Sequence, residues 1–168
     1  MIELHENGLD IQFRIRENGV VELADFSSQE VKKAVMEPKE DICYPAVEIH
    51  RSGTGSLNMH AYKNNINQSS VDFVYENHEL KAQDGGKELE IVMVSPKKLK
   101  AVYHMRLFDG VPAVQTWTEI INEGSEDQGL TYVSSFMYQG ISRGGKKPYY
   151  KKTDIYVPFN SWCCEAQW

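Results

Sequence analysis

Alternation of apolar and polar residues with a period of two dominates this chain. Ile11, Phe13 and Ile15 alternate with Asp10, Gln12, Arg14 and Arg16; Leu89, Ile91 and Met93 share a face beside Glu88 and Glu90; Ala101, Tyr103, Met105 and Leu107 oppose Lys100, His104 and Arg106. Successive side chains of a strand point to opposite faces, so the pattern predicts half-buried strands. Segments rich in Val, Ile, Thr, Tyr and Phe add candidates at 20–23, 46–50, 71–75, 113–121, 130–138 and 153–157. Turn residues separate them: Glu17-Asn18-Gly19, Asp84-Gly85-Gly86, Asp109-Gly110 and Asn122-Glu123-Gly124-Ser125. Asp109-Gly110, between two strong strands, predicts a short hairpin. Many short strands with frequent turns predict an all-β fold of antiparallel sheets packed as a β-sandwich. One helix is expected over residues 28–36, capped by Ser27 or Ser28 with Glu30 close behind and stopped by Pro38; a plain loop is the alternative. The polar stretch 64–70 reads as a loop.

Composition narrows the class of partner. The 168 residues suit one domain, 1–168, with a single sizeable core, and 41% hydrophobic with 25% charged residues is the balance of a globular protein. A net charge of -6 disfavours a nucleic-acid backbone or an anionic membrane as partner, since both are engaged through clustered Lys and Arg. The one basic cluster, Lys146, Lys147, Lys151 and Lys152 around Tyr149 and Tyr150, reads more simply as a solvated loop than as a stacking platform for bases. The start, Met1-Ile2-Glu3-Leu4-His5-Glu6, lacks the basic and apolar regions of a signal peptide, and no apolar run has the length of a membrane span. A cytoplasmic location is the expectation. Three cysteines, with Cys163 and Cys164 adjacent and Cys43 distant, do not form a disulfide framework and are expected to be reduced thiols.

Local motifs for catalysis are sparse. The five histidines, His5, His50, His60, His78 and His104, have no metal-ligand spacing, so no metal and no cofactor is expected. Gly144-Gly145-Lys146-Lys147 lacks the Ser or Thr of a phosphate loop, Gly53-Thr54-Gly55 is too short for a dinucleotide fingerprint, and no Gly-x-Ser-x-Gly elbow is present. Glu48, Glu119 and Glu165 are candidate carboxylates for glycoside hydrolysis, but each reads more simply as a sheet-face or interface residue. The groups that suit a sugar are Trp117, Trp162, Asn160 and Glu165, because an indole packs on the apolar face of a pyranose while polar side chains bond its hydroxyls. Trp117 falls in a strand that reads as core. Trp162, Cys163, Cys164 and Trp168 crowd the final residues with apolar surface, which predicts that the chain continues into a second domain packed on them.

Four stretches carry a resemblance. Val114-Gln115-Thr116-Trp117-Thr118-Glu119-Ile120-Ile121-Asn122-Glu123-Gly124, followed by Tyr132-Val133-Ser134-Ser135-Phe136, resembles the N-terminal domain of bacterial α-galactosidases of glycoside hydrolase family 36. The ending, with Pro158, Asn160, Trp162, Glu165, Gln167 and Trp168, is similar to that family's Asn-x-Trp-x-x-Glu-x-Gln-Trp element, and Pro45-Ala46-Val47-Glu48-Ile49 to an early strand; the resemblance spans residues 44–168. It departs at Arg51-Ser52-Gly53-Thr54-Gly55-Ser56, where the family carries a longer Gly- and His-rich segment, and at Phe159, where His commonly precedes the Asn.

The resemblance implies a β-supersandwich of the galactose-mutarotase type, placed before a catalytic β/α barrel that supplies both catalytic aspartates of a retaining mechanism. None of the catalytic residues would then lie in this chain. The implied role is a non-catalytic scaffold and oligomerisation domain of a hydrolase in carbohydrate metabolism, acting on terminal α-galactosides such as melibiose and raffinose. Its partners would be the barrel of the same protein and, in the parent protein, other copies of itself. Asn160, Trp162, Glu165 and Trp168 would form a domain interface or a sugar contact, and the loop 53–70 would approach a neighbouring subunit. Two other classes stay open: a self-sufficient galactoside-binding module, and an aldose-mutarotase-like enzyme in which a Glu-His pair moves the anomeric proton.

Overall fold

The structure, a computed structural model, describes residues 1–28, 43–55, 68–138 and Tyr156, and the backbone alone at 159–161 and 164–167. Within them the chain forms β1 (Ile2–Glu6), β2 (Leu9–Ile15), β3 (Val21–Ser28), β4 (Ile49–Arg51), α1 (Gln68–Val71), β5 (Val74–Gln83), β6 (Gly86–Val94), β7 (Leu99–Phe108), β8 (Val111–Asn122), β9 (Leu130–Val133), β10 (Phe159–Ser161) and β11 (Cys164–Gln167). A three-stranded sheet runs β1-β2-β3 and a four-stranded sheet β5-β6-β7-β8, with two further pairs, β4-β9 and β10-β11. Every pairing is antiparallel.

The alternation seen in the sequence sorts these strands into layers. Ile11, Phe13 and Leu23 from the first sheet share one buried cluster with Leu89, Ile91, Met93, Ala101, Tyr103 and Met105 from the second, and Ile49 and Phe73 join it. Phe13 and Tyr103 meet edge to face across the interface, with ring centroids 5.7 Å apart. The fold is therefore an all-β antiparallel sandwich, as the periodicity predicts. No described helix is long and apolar enough to cross a membrane.

Tight turns hold one end of the sandwich together. Asn7 and Gly8 both have positive φ, 51° and 83°, the combination that suits a two-residue hairpin and that glycine adopts without a Cβ clash. The expected Asp109-Gly110 turn joins β7 to β8, and Gly110 donates its N–H to Asn7 Oδ1 at 3.0 Å. Asp109 N–H reaches the Gly85 carbonyl of the β5-β6 turn, also at 3.0 Å. The tips of three hairpins thus bond to one another.

Several expectations change. Ser27 and Ser28 do not cap a helix: they end β3, paired with Asp10 and Leu9 of β2, and Ser27 Oγ donates to Asp25. Residues 29–36 lie outside the described set. In the stretch read as a loop, Gln68–Val71 is a helical turn whose Ser69 and Ser70 are buried. Its hydroxyls serve the edge of β4: Ser69 Oγ and Ser70 Oγ donate to the Ile49 carbonyl, and the N–H groups of Ile49 and Arg51 donate back to Ser70 Oγ and Ser69 Oγ. A strand edge buried without such partners would leave costly orphan polar groups. Val71 therefore belongs to α1, and the strand expected at 71–75 begins at Val74 and runs on to Gln83. The candidate at 46–50 shrinks to β4, because Ala46 and Val47 bend inward into the core. The candidate at 130–138 stops at Val133. Of 153–157 only the exposed Tyr156 is described.

Candidate functional site

Residues with chemical capacity converge on the outer face of the four-stranded sheet. Strand register sets Glu90 beside His104 and His104 beside Trp117, forming a row across β6, β7 and β8. Glu88 sits two residues before Glu90 on the same face, and Glu119 two after Trp117. His104 Nδ1 lies 2.8 Å from Glu88 Oε1 and 3.9 Å from Glu90 Oε1, while Nε2 points to Glu119 Oε2 at 3.7 Å. The Trp117 indole stacks on the imidazole with centroids 4.6 Å apart and planes within 5°. That stacking accounts for the burial of His104, 8% exposed although it faces away from the core. Lys81, from β5, holds Glu90 Oε2, and this hydrogen bond pushes the lysine ammonium above its ordinary value.

This position of Trp117 corrects the reading of its strand as core. On β8 it is Val114 and Ile120 that pack inward, so Trp117, one register out of phase, is half-buried on the outer face. Nothing in the local spacing of Glu88, Glu90 and His104 resembles a ligand motif. Only the antiparallel register of β6 and β7 brings the three together.

A second ionisable pair is fully enclosed. His50 Nε2 and Glu48 Oε1 are 3.0 Å apart, both residues are buried, and Tyr132 lies over the imidazole at 5.1 Å. A third group sits between β2 and β3, where buried Glu22 accepts the Tyr44 N–H at 2.9 Å and Arg16 Nη1 at 3.1 Å, with Arg14 Nη1 at 3.6 Å. Burial, reinforced by the Glu22 charge, pushes the adjacent Cys43 thiol up to about 12. At neutral pH it is a protonated thiol and no nucleophile.

Of the residues expected to form an interface or a sugar contact, Asn160 and Glu165 fall on the last two described strands. Asn160 is on β10 and Glu165 on β11, strands that pair Phe159 with Gln167 and Ser161 with Cys164 around an irregularity. Trp162 and Trp168 lie outside the described residues. Glu48 and Glu119, the other candidate carboxylates, stand apart: Glu48 in the enclosed pair, Glu119 on the outer face. Of the histidines, His5 pairs with Asp10 and His78 with Tyr75; His60 is outside the described set. No protein-family model matches the chain, and no curated protein matches it.

Proposed function

We propose that the chain is a non-catalytic β-sandwich domain of the kind that family 36 α-galactosidases carry before their barrel, acting as a scaffold for the barrel and for contacts between copies. One observation carries this reading: three of the separate segments on which the sequence resemblance rests, 45–49, 114–124 and 132–136, are bonded to one another. Ile49 faces Val133 and His50 faces Tyr132 across β4 and β9. Glu48 N–H donates to Ser134 Oγ and Ser134 N–H to the Glu48 carbonyl, both at 2.8 Å, and Thr118 Oγ1 of β8 donates to the Ser134 carbonyl at 2.9 Å. The quoted residues thus fix strands relative to one another, which is the task of a scaffold whose partner needs tight positional tolerance. Asn160, Trp162, Glu165 and Trp168 then belong to the face that meets the barrel.

The galactoside-binding alternative is favoured by the place of Trp117, because a half-exposed indole beside Glu119 and Gln115 offers the mixture of stacking and hydrogen bonding that sugars use. A mutarotase-like reading through Glu48 and His50 has to contend with their burial. Titration of galactose, melibiose and raffinose into the chain, followed by NMR, separates the classes. The scaffold reading predicts neither shifted resonances nor free galactose from the oligosaccharides. Shifts centred on Trp117 would replace it with the binding module, and released galactose would overturn the non-catalytic assignment.

A further inference from the structure

Glu88, Glu90 and His104 offer one ligand atom each, all within 4.8 Å of one another. Ligands of a tetrahedral zinc ion, bound at about 2.0–2.2 Å, stand somewhat more than 3 Å apart, so small side-chain rotations would close the three atoms around an ion. A hydrogen-bonded Glu-His pair alone could produce such proximity. The environment of His104 goes further. Both ring nitrogens face carboxylates, Nδ1 toward Glu88 and Glu90 and Nε2 toward Glu119. A neutral imidazole has a single proton and leaves one of these contacts as acceptor against acceptor. Nε2 is buried and lacks a hydrogen-bond partner, with the Glu119 carboxylate 3.7 Å away, so Nδ1 is the nitrogen that faces the Glu88 and Glu90 oxygens.

The charges point the same way. Around His104, the side chains of Glu79, Glu88, Glu90 and Glu119 are set against Lys81 and Arg106, which leaves an excess of two negative charges among these six groups. Arg106 is turned away, donating to the Asp84 carbonyl with its guanidinium over Phe108. Lys81 takes Glu90 Oε2 and leaves Oε1 toward His104. Metal-bound histidine generally gives its other N–H to a carboxylate that fixes its orientation; Glu119 Oε2, 3.7 Å from Nε2, is the carboxylate on that side of the ring and needs a small side-chain rotation to accept it. Stacking on Trp117 holds the ring plane.

We propose that Glu88, Glu90 and His104 form a binding site for a divalent cation of the zinc type, with Glu119 positioning the imidazole and Lys81 orienting Glu90. Two carboxylates and an imidazole suit borderline ions such as zinc better than calcium or magnesium, which prefer all-oxygen shells. The site belongs to the sandwich itself and is independent of whether the chain serves an α-galactosidase.

Calorimetric titration of zinc chloride into the metal-stripped chain tests this, in a Cys163→Ser, Cys164→Ser background that removes competing thiols. One equivalent should bind and raise the thermal melt. Glu88→Gln and His104→Gln should abolish the one-equivalent event, and Glu119→Gln should weaken it about tenfold or more. If His104→Gln fails to fold, Glu88→Gln, which preserves volume, decides the matter alone. The absence of a one-equivalent event, or an event unchanged in Glu88→Gln, would overturn the proposal.

Discussion

Replacing Tyr103 with alanine is expected to lower stability by about 3–5 kcal/mol, the range for removing a large aromatic side chain from a packed interior. Tyr103 is 1% exposed at the centre of β7, where it meets Phe13 of the opposite sheet edge to face. Its loss opens a cavity at an aromatic contact that spans the two layers, and a stiff sandwich refills such a hole only in part. The hydroxyl is the minor part of the effect. It is hydrogen-bonded to Thr116, and burial pushes the phenol well above its ordinary value. Tyr103→Phe should therefore cost only about 1 kcal/mol, the typical net value of one hydrogen bond. Denaturant unfolding of both variants checks the pair. Equal losses in the two would mean that the hydroxyl, and not ring packing, holds the layers.

A comparable loss is expected from Glu22→Gln, for a different reason. Glu22 is 1% exposed and lies directly opposite Arg14 in the β2-β3 register, with Arg16 on its other oxygen and the Tyr44 N–H on the same carboxylate. Removing its charge leaves two largely buried guanidinium groups facing a neutral amide, and breaking a buried ion pair from one side costs about 3–5 kcal/mol. The desolvation of the arginines, more than the strength of the original attraction, sets that figure. Replacing Arg14, Arg16 and Glu22 together with apolar residues of similar volume should consequently restore most of the stability. If the triple variant is as unstable as Glu22→Gln, the account of this cluster fails.

What the sequence disclosed follows from how each signal arises. Strands with one buried face, such as β2, β6 and β7, advertise themselves by alternation; β6 and β7 extend the runs read from the sequence by one or two residues at each end, and β2 is shifted from its run by one. β5 does not, because its run Glu76 to Gln83 is exposed on both faces apart from Lys81 and so has no apolar period to detect. β1 was legible in principle: Ile2 and Leu4 alternate with Glu3 and His5, and Asn7-Gly8 is a strong hairpin signal. α1 has only one turn, too short to show a helical period, and owes its existence to the hydroxyls it lends to β4.

Side-chain chemistry was harder to read than strands. Trp117 sits between two threonines in a run that starts at Val114 and ends at Ile120 and Ile121, and its assignment to the outer face depends on phase, which a one-residue slip inverts. Glu88 and His104 are 16 positions apart, a separation set by the length of a hairpin and not by any ligand motif. Their proximity becomes visible only when the register of β6 on β7 is known. The Glu48-His50 pair, by contrast, follows directly from its spacing of two residues, which places both side chains on one face of an extended segment.

The scaffold reading is tested most directly by supplying this chain to a family 36 α-galactosidase barrel from which the N-terminal domain has been removed. The prediction is a stable complex in size-exclusion chromatography with hydrolysis of melibiose regained, and a weaker complex with Trp162→Ala. A barrel that neither binds the chain nor regains hydrolysis in its presence would contradict the account.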